Sequence, residues 1–227
     1  MTTVTTIVPD RAFGGGDREP YDRALVDPDR ALYLVDSDGS RDAIDVAKFL
    51  ATADAHDAQA LSRARGPVID LGCGPGRLVR AAILSGHVAL GIDASVVAVR
   101  IAQEQGLPVL RRSIFQGLPG EGTWGTAMLI DGNIGIGGDP VELLKRCAEL
   151  VLGDGHGRVL VETHPDSFRN RVFEATVIDD LGRSSLPFPW AEVGIQALHE
   201  HAADAGLEFI QTWTHGDRTF VEYASAS

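Results

Sequence analysis

The chain has 227 residues, of which 44% are apolar, and a formal net charge of −12. This length suits one sizeable domain with small additions, and the acidic charge disfavours nucleic acid and anionic membrane surfaces as partners. The two cysteines cannot build a disulfide framework, and the sequence shows neither a leader-like N-terminus nor a membrane-length apolar run, so we expect a cytoplasmic protein.

The first part of the chain is predicted to be a flexible tail, residues 1–20, followed by an N-terminal cap, residues 21–65. The tail is rich in Thr and Gly, which favour mobile backbone. In the cap, "ALYLVDSDGSRDAIDV" predicts a small β-hairpin that turns at "DSDG". The stretches "DVAKFLA" and "DAHDAQALSRARG" predict two short helices, the second of which is closed by Gly66.

The second part, from residue 66 to about residue 162, alternates strand and helix patterns. The strands "PVIDL", "HVALGID", "PVLRR", "WGTAMLID" and "GRVLVE" are separated by segments with helical spacing of apolar residues. The clearest helix start has Asp139 as N-cap, Pro140 in the first turn and Glu142 at the third helical position. Such alternation predicts a parallel sheet with helices on both faces.

The third part completes a main domain over residues 66–227 that carries an insertion at 163–189 on the substrate side. The insertion is expected to contain a hairpin with its turn near "DDLGR". A helix then ends at Gly206, and "LEFIQTWTH" and "RTFVEYA" predict two antiparallel strands joined by a tight turn at Gly216 and Asp217.

The stretch "DLGCGPG" follows the first strand of the main domain, where Gly72, Gly74 and Gly76 alternate with other residues. Ligands of open α/β sheets bind at the carboxyl ends of the strands, and glycine lets a ligand approach the backbone without meeting a Cβ. Asp93 ends the second strand, where a carboxylate can accept hydrogen bonds from both hydroxyls of a ribose. The sequence therefore predicts a cofactor that contains a nucleoside.

The spacing and charge of this turn favour one such cofactor. Dinucleotide sites use G-x-G-x-x-G around a pyrophosphate, whereas this chain has G-x-G-x-G, with Asp70 two residues before the first glycine. A carboxylate is badly placed beside a pyrophosphate but well placed beside an ammonium group. S-adenosylmethionine carries an ammonium group and a ribose but no phosphate.

At these motifs the sequence resembles the class I S-adenosylmethionine-dependent methyltransferases. "VIDLGCGPG" is similar to their first motif, "GIDAS" to their acidic second motif, and "GTAMLIDGN" through "GRVLVE" to the region of their fourth and fifth strands. "LIDGNIGIGGDP" also resembles a group of small actinobacterial members. The resemblance implies an α/β fold, with a doubly wound and mostly parallel sheet of seven strands in the order 3-2-1-4-5-7-6, the last strand antiparallel.

The resemblance also implies roles for individual residues. Asp70 would hold the methionyl ammonium group, with the backbone of Gly72, Cys73 and Gly74 along the amino-acid moiety, and Asp93 would bind the ribose. The full set of expected cofactor-binding residues is Asp70, Gly72, Cys73, Gly74, Gly76, Asp93, Ala94, Ile114, Phe115, Asp131, Gly132 and Asn133. The adenine edge departs from the family pattern, because "RRSIFQ" stands where an acidic residue is common.

No general base stands out in the sequence. His164 and Asp131 are the weak catalytic candidates, since each follows a strand of the sheet. His199 and His201 fall in a predicted helix and are more simply packing residues, as are the two cysteines. A base is optional for methyl transfer, because the sulfonium methyl is already activated and orientation supplies much of the catalysis.

The leading hypothesis is an S-adenosylmethionine-dependent methyltransferase that acts on a small molecule by in-line transfer of the sulfonium methyl, with S-adenosylhomocysteine as product and no metal. Two alternatives remain open: a nicotinamide-dependent oxidoreductase and a non-catalytic S-adenosylmethionine-binding protein. The acceptor atom and the oligomeric state are not fixed by the sequence. The acceptor pocket is expected where the N-terminal cap, the loop after Asp131 and the segment 164–190 converge.

Overall fold

The computed structural model describes residues 12–16 and 19–225 of the chain, which contain two β-sheets and the helices around them. The main sheet has seven strands, which lie across it in the order β10 (Leu207–His215), β11 (Arg218–Ser225), β7 (Arg158–Glu162), β6 (Thr126–Leu129), β3 (Val68–Leu71), β4 (Ala89–Asp93) and β5 (Val109–Arg111). The helices are α1 (Pro20–Val26), α2 (Val46–Leu50), α3 (Ala55–Leu61), α4 (Arg77–Leu84), α5 (Val96–Glu104), α6 (Pro140–Leu150) and α7 (Ile195–Asp204).

The central strands of the main sheet are buried on both faces, which explains their continuous apolar sequences. All four residues of β3 and all four of β6 are buried. Neighbouring residues Val68 and Ile69 belong to different apolar clusters, the first with α4 and α5 and the second with α6 and α7. Helices therefore cover both faces of a parallel sheet, as the sequence predicts.

The strand order confirms the predicted topology. Numbered within this sheet alone, the strands lie in the order 3-2-1-4-5-7-6. β11 pairs antiparallel with both β7 and β10, so the last strand is the antiparallel one. The tight turn between β10 and β11 falls at Gly216, whose φ is +59°.

A second sheet of four antiparallel strands joins the N-terminal cap to the insertion. Its strands lie in the order β2 (Arg41–Ala43), β1 (Leu32–Asp36), β8 (Asn170–Asp179) and β9 (Phe188–Val193). The sequence predicts each hairpin separately, and the insertion turn at Asp179 to Arg183 is closed by a backbone hydrogen bond of 3.0 Å. The pairing of β1 with β8, which merges the hairpins into one sheet, was not predicted.

The N-terminal region departs from the prediction in two respects. α1 is an additional helix, which begins at Pro20, a residue whose fixed φ suits a first helical position. α3 ends at Leu61 instead of continuing toward Gly66. Of the predicted flexible tail, residues 1–11 and 17–18 lie outside the described residues, whereas Phe13 packs against Tyr21 with ring centroids 4.8 Å apart.

The turn between β3 and α4 gives a test of the fold that does not involve any ligand. Gly76 has φ +90°, and a Cβ there would lie 2.7 Å from Leu107 Cδ1 and 3.3 Å from Ala102 Cβ. Gly86 has nearly the same φ, +88°, but a Cβ there would have nothing within 4 Å. Gly86→Ala therefore costs only the left-handed backbone strain, about 1–2 kcal/mol, whereas Gly76→Ala adds overpacking of about 1–3 kcal/mol.

Urea unfolding of the two alanine variants measures this difference. We expect Gly76→Ala to lower the free energy of unfolding more than Gly86→Ala does. Equal losses in the two variants would show that Leu107 moves aside without cost and that only backbone strain matters at this turn.

Candidate functional site

A cavity of about 750 Å³ lies at the carboxyl ends of the parallel strands, and the second sheet forms its other wall. The three segments expected to form an acceptor pocket all contribute to it, with Phe49 from the cap, Gly132 from the loop after β6 and Trp190 from the insertion. The predicted site residues that line the cavity are Asp70, Gly72, Cys73, Gly74, Asp93, Ala94, Ile114, Phe115, Asp131, Gly132, Asn133 and His164.

Gly76 is the predicted cofactor-binding residue that does not line the cavity. Its neighbours are Leu107 and Ala102 on the opposite side of the turn. The structure therefore explains the third glycine of the motif by the packing of the turn against α5 and the loop after it.

The backbone conformation of the glycine turn is fixed by hydrogen bonds from neighbouring residues. Gly72 and Gly74 have φ of +77° and +54°, both in the left-handed region that favours glycine. The side-chain amide of Asn133 donates to the carbonyl oxygens of Leu71 and Gly72, at 2.9 Å each. A Cβ on Gly72 would lie 2.7 Å from that amide nitrogen, so the close approach of Asn133 requires glycine here.

Asp70 is a buried carboxylate with no hydrogen-bond partner among the described residues. Its side chain is at the end of β3, it is 2% exposed, and it lines the cavity. Burial, followed by the negative charges of Asp131 and Asp93, raises the pKa of Asp70 to about 8. Leaving such a group unpaired costs free energy, so the position of Asp70 would suit a cationic or hydrogen-bond-donating ligand.

Asp93 is oriented by backbone groups at the end of β4. Its Oδ2 accepts from the N–H of Gly74 at 2.7 Å, and its Oδ1 accepts from the N–H of Ser95 at 2.8 Å. Burial raises the pKa of Asp93 to about 6, although these N–H groups oppose the shift. Each carboxylate oxygen keeps a second lone pair, so the fixed side chain can still accept two hydrogen bonds from a diol.

Asp131 is surrounded by cations. Its carboxylate pairs with Lys48 at 2.6 Å, with Arg218 at 3.1 Å and with Arg77. Burial alone would raise the pKa of Asp131, but Arg77, Lys48 and Arg218 together hold it below its usual value. An ionised carboxylate that is already paired is a poor proton acceptor, so the structure does not favour Asp131 as a general base.

The Asp131 pairs belong to a buried ion cluster that also contains Asp57 and Glu162. Arg218 binds Glu162 through two nitrogen–oxygen contacts of 2.7 Å and binds Asp57 at 3.0 Å. Three cations thus face three carboxylates. Through its pair with Asp131, Lys48 connects the cap to the carboxyl ends of the strands of the main sheet.

Ile114 and Phe115 are the apolar residues expected at the adenine side of the predicted site. Ile114 is buried, whereas Phe115 is 43% exposed. A Cβ on Gly137 would lie 2.8 Å from the ring of Phe115, so this ring rests against the glycine backbone of the 3-10 segment Asn133–Gly138. Both residues line the cavity, as do the preceding polar residues Arg112 and Ser113.

The other candidate residues divide clearly by position. His199 Nδ1 forms a hydrogen bond of 2.9 Å with the Tyr223 hydroxyl, and His201 Nε2 lies 3.3 Å from Asn170 Oδ1. Neither histidine lines the cavity. Cys147 is fully buried in the core, and burial raises its pKa to about 12. His164 is the predicted histidine that lines the cavity.

Comparison with known proteins shows which solved structures share this architecture. The sequence matches no family model and no curated protein. An S-adenosylmethionine-dependent methyltransferase from Bacteroides fragilis, solved with S-adenosyl-L-homocysteine, has a TM-score of 0.73 and 20% identity, with 98% of each chain covered.

Two further solved structures resemble most of the chain. The 1,6-didemethyltoxoflavin N1-methyltransferase from Burkholderia thailandensis has a TM-score of 0.55 at 17% identity, covering 76% of this chain and 79% of its own. A sugar N-methyltransferase from a Streptoalloteichus species has a TM-score of 0.55 at 15% identity, covering 76% of this chain and 84% of its own. The chain has the fold of these methyltransferases. The finer likeness to small actinobacterial members stays a prediction.

The sequence analysis did not single out the three cations of the cluster, which are Lys48, Arg77 and Arg218. Arg77 directly follows the glycine motif, and that adjacency was a usable signal. Lys48 and Arg218 lie in a short helix and a terminal strand with ordinary local patterns. Their role arises only where distant segments meet.

Neither a metal centre nor a membrane span is found within the described ranges 12–16 and 19–225. These ranges contain no group of three or more His, Cys, Asp or Glu side chains arranged to hold a metal ion. They also contain no helix with the length and apolar character needed to cross a membrane.

Asp70, which has no hydrogen-bond partner within residues 12–16 and 19–225, predicts an unusual pH dependence of stability. Its pKa is about 8 in the folded protein and about 4 in the unfolded chain, so between these values the folded state binds more protons. Raising the pH from about 4 to about 8 therefore removes stability through this group. Asp70→Asn cannot ionise, and we expect it to be more stable than the parent protein at pH 8 by a few kcal/mol, with a much smaller difference at pH 5.

Urea unfolding of the ligand-free protein at both pH values measures this difference. Comparing variant with parent cancels the contributions of the other titrating groups. A parent protein that is more stable than Asp70→Asn at pH 8 would mean that the carboxylate has a stabilising partner in the free protein.

Proposed function

We propose that this protein is an S-adenosylmethionine-dependent methyltransferase that acts on a small-molecule acceptor by in-line transfer of the sulfonium methyl. The observation that carries the proposal is the buried Asp70 carboxylate beside the glycine turn, for which the described residues provide no hydrogen-bond partner. A ligand with an ammonium group would compensate that charge, and the fixed carboxylate of Asp93 on the next strand suits the ribose of the same ligand.

The residues of the cavity wall fit the rest of the cofactor. The open backbone of Gly72, Cys73 and Gly74 suits the amino-acid moiety, and Ile114 with Phe115 suits an adenine ring. Ala94, Gly132 and Asn133 complete this side of the wall. When bound, S-adenosylmethionine would supply a methyl group already activated toward nucleophilic attack.

The protein's own contribution would then be orientation and exclusion of water. The second sheet and α2 close the cavity opposite the strand ends, where Trp190 of β9 and Phe49 of α2 line it. Holding two reactants in line can supply roughly 7–11 kcal/mol of the barrier reduction, so a general base is not required for every acceptor. The paired state of Asp131 agrees with a mechanism that relies on orientation.

The fold neighbours support a small acceptor. Their names include a methyltransferase of 1,6-didemethyltoxoflavin and one of a sugar. The acidic net charge of −12 also disfavours a nucleic-acid acceptor. The proposal includes a cytoplasmic location for the protein.

Asp70 also separates this proposal from nicotinamide chemistry. A pyrophosphate would be repelled by an ionised Asp70 and would gain no charge pairing from a protonated one, whereas an ammonium group would favour the ionised form and pair with it. Isothermal calorimetry of the parent protein should therefore detect S-adenosylhomocysteine binding and no NAD binding. Binding of NAD but not of S-adenosylhomocysteine would favour the oxidoreductase alternative.

Asp93→Ala tests the ribose assignment in the same experiment. The substitution removes hydrogen bonds to a charged acceptor, worth roughly 1.5–3 kcal/mol each, so we expect S-adenosylhomocysteine affinity to fall at least about tenfold.

Asp139→Ala is the matched control for Asp93→Ala. Asp139 also accepts from a backbone N–H, that of Glu142 at 3.0 Å, but it does not line the cavity. The affinity of this control variant for S-adenosylhomocysteine should match that of the parent. Unchanged affinity in a folded Asp93→Ala protein would contradict the ribose assignment.

A further inference from the structure

His164 follows β7 and lines the cavity, and the loop after it determines which ring nitrogen carries the proton. The backbone N–H of Asp166 lies 3.0 Å from His164 Nδ1. A backbone N–H can only donate, so Nδ1 must present its lone pair. The proton of the neutral imidazole is then on Nε2, and Nε2 is the nitrogen that remains for a ligand.

A neutral imidazole fixed in this tautomer is a hydrogen-bond donor toward the cavity. Its basic nitrogen is occupied by the Asp166 N–H, so it cannot also take a proton from an acceptor molecule. His164 was a candidate general base in the sequence, and this contact argues against that role.

Lys48 is a second hydrogen-bond donor that lines the same cavity. Lys48 Nζ is 2.6 Å from Asp131 Oδ1, and the Asp131 N–H is 2.7 Å from Glu162 Oε2, two residues before His164. An ammonium group has three donors, and Asp131 uses one of them.

Four carboxylates of this wall, those of Asp131, Glu162, Glu192 and Asp45, already have a charged or hydrogen-bonding neighbour. Glu162 is bound by Arg218, and Glu192 lies 2.8 Å from Arg169 Nε. Asp45 accepts from the backbone N–H of Lys48 at 3.0 Å, and Asp42 is exposed on the outer strand β2.

Aromatic and apolar side chains form the remaining surface on this side. Phe13 and Trp190 have ring centroids 5.8 Å apart, and Phe49 and Ile136 also line the cavity. Such a surface buries a ring well and gives it little polar contact.

We propose that the acceptor site selects a ring-bearing compound with an anionic oxygen, which takes a hydrogen bond from His164 Nε2–H in a cavity that the Lys48 ammonium group also lines. The proposal rests on the proposed methyltransferase function, because it assigns the space beside the cofactor residues to the acceptor. In this arrangement His164 positions the acceptor and removes no proton from it.

Two probes of equal ring size and opposite charge test the selection. Calorimetry is carried out on the parent protein saturated with S-adenosylhomocysteine, with 1-naphthoate and with 1-naphthylmethylammonium. We expect the carboxylate to bind and the ammonium to bind at least about tenfold more weakly. Equal affinities, tighter binding of the ammonium, or no binding of either probe would overturn the proposal.

Variants of His164 then locate the donor. His164→Leu should bind 1-naphthoate about tenfold or more weakly, because a hydrogen bond to a charged group is lost. His164→Gln keeps a donor and should recover most of that loss. Equal naphthoate affinity in the parent and His164→Leu would remove His164 from the site.

Nitrogen NMR of the histidine side chains tests the tautomer without any ligand. The His164 signals are assigned by their loss in His164→Gln and their retention in His201→Gln. A neutral His164 with its proton on Nε2 is expected, and a proton on Nδ1 would overturn the donor role. This measurement needs no cofactor, so it tests the role of His164 by itself. An error about the methyltransferase function would instead appear as failed binding of S-adenosylhomocysteine.

Discussion

The structure of the site depends on one unfavourable feature, the burial of the Asp70 carboxylate without a partner among the described residues at the end of the central strand. Burying an isolated charge is costly, and folded proteins tolerate such a group mainly where a ligand or a proton compensates it. The surrounding residues are consistent with compensation by a ligand. The left-handed turn at Gly72 and Gly74 exposes backbone beside Asp70, and Asp93 is fixed at the end of the neighbouring strand.

A second constraint joins the two sheets. The ion cluster at Asp131 links Lys48 of the cap with Arg77 of α4 and Arg218 of the last strand. Removing one partner from a buried cluster leaves an uncompensated charge and costs about 3–5 kcal/mol. The cluster therefore fixes the cap against the strand ends and keeps the cavity enclosed. The cluster also keeps Asp131 ionised and paired. This residue therefore suits a positioning role and not proton transfer in catalysis.

Local sequence patterns were enough to predict the main sheet. The buried strands, the helix start at Asp139 and the glycine turn all depend on neighbouring residues, and the strand order follows from the resemblance they carry. Both small hairpins could also be predicted from the sequence, because their turns use Gly and Asp at the required positions. The pairing of β1 with β8 was not readable, since it joins segments that are far apart in the chain and neither strand encodes its partner.

The same distinction holds for the site. Asp70 and Asp93 could be predicted because their meaning lies in their offset from the glycine motif. Lys48 and Arg218 could not, because each gains its role from Asp131, a residue distant in sequence. The donor tautomer of His164 depends on a single backbone N–H two residues later, a contact that only the folded loop shows.

Proton exchange on ligand binding tests the account of Asp70 most directly. With a pKa of about 8, this carboxyl is mostly protonated in the free protein at pH 7 and must ionise to pair with an ammonium group. Calorimetry of S-adenosylhomocysteine binding at pH 7, in buffers of different ionisation enthalpy, should show release of about one proton by the parent protein and much less by Asp70→Asn. Equal proton exchange in the two proteins would contradict the assignment of Asp70 to the ammonium group.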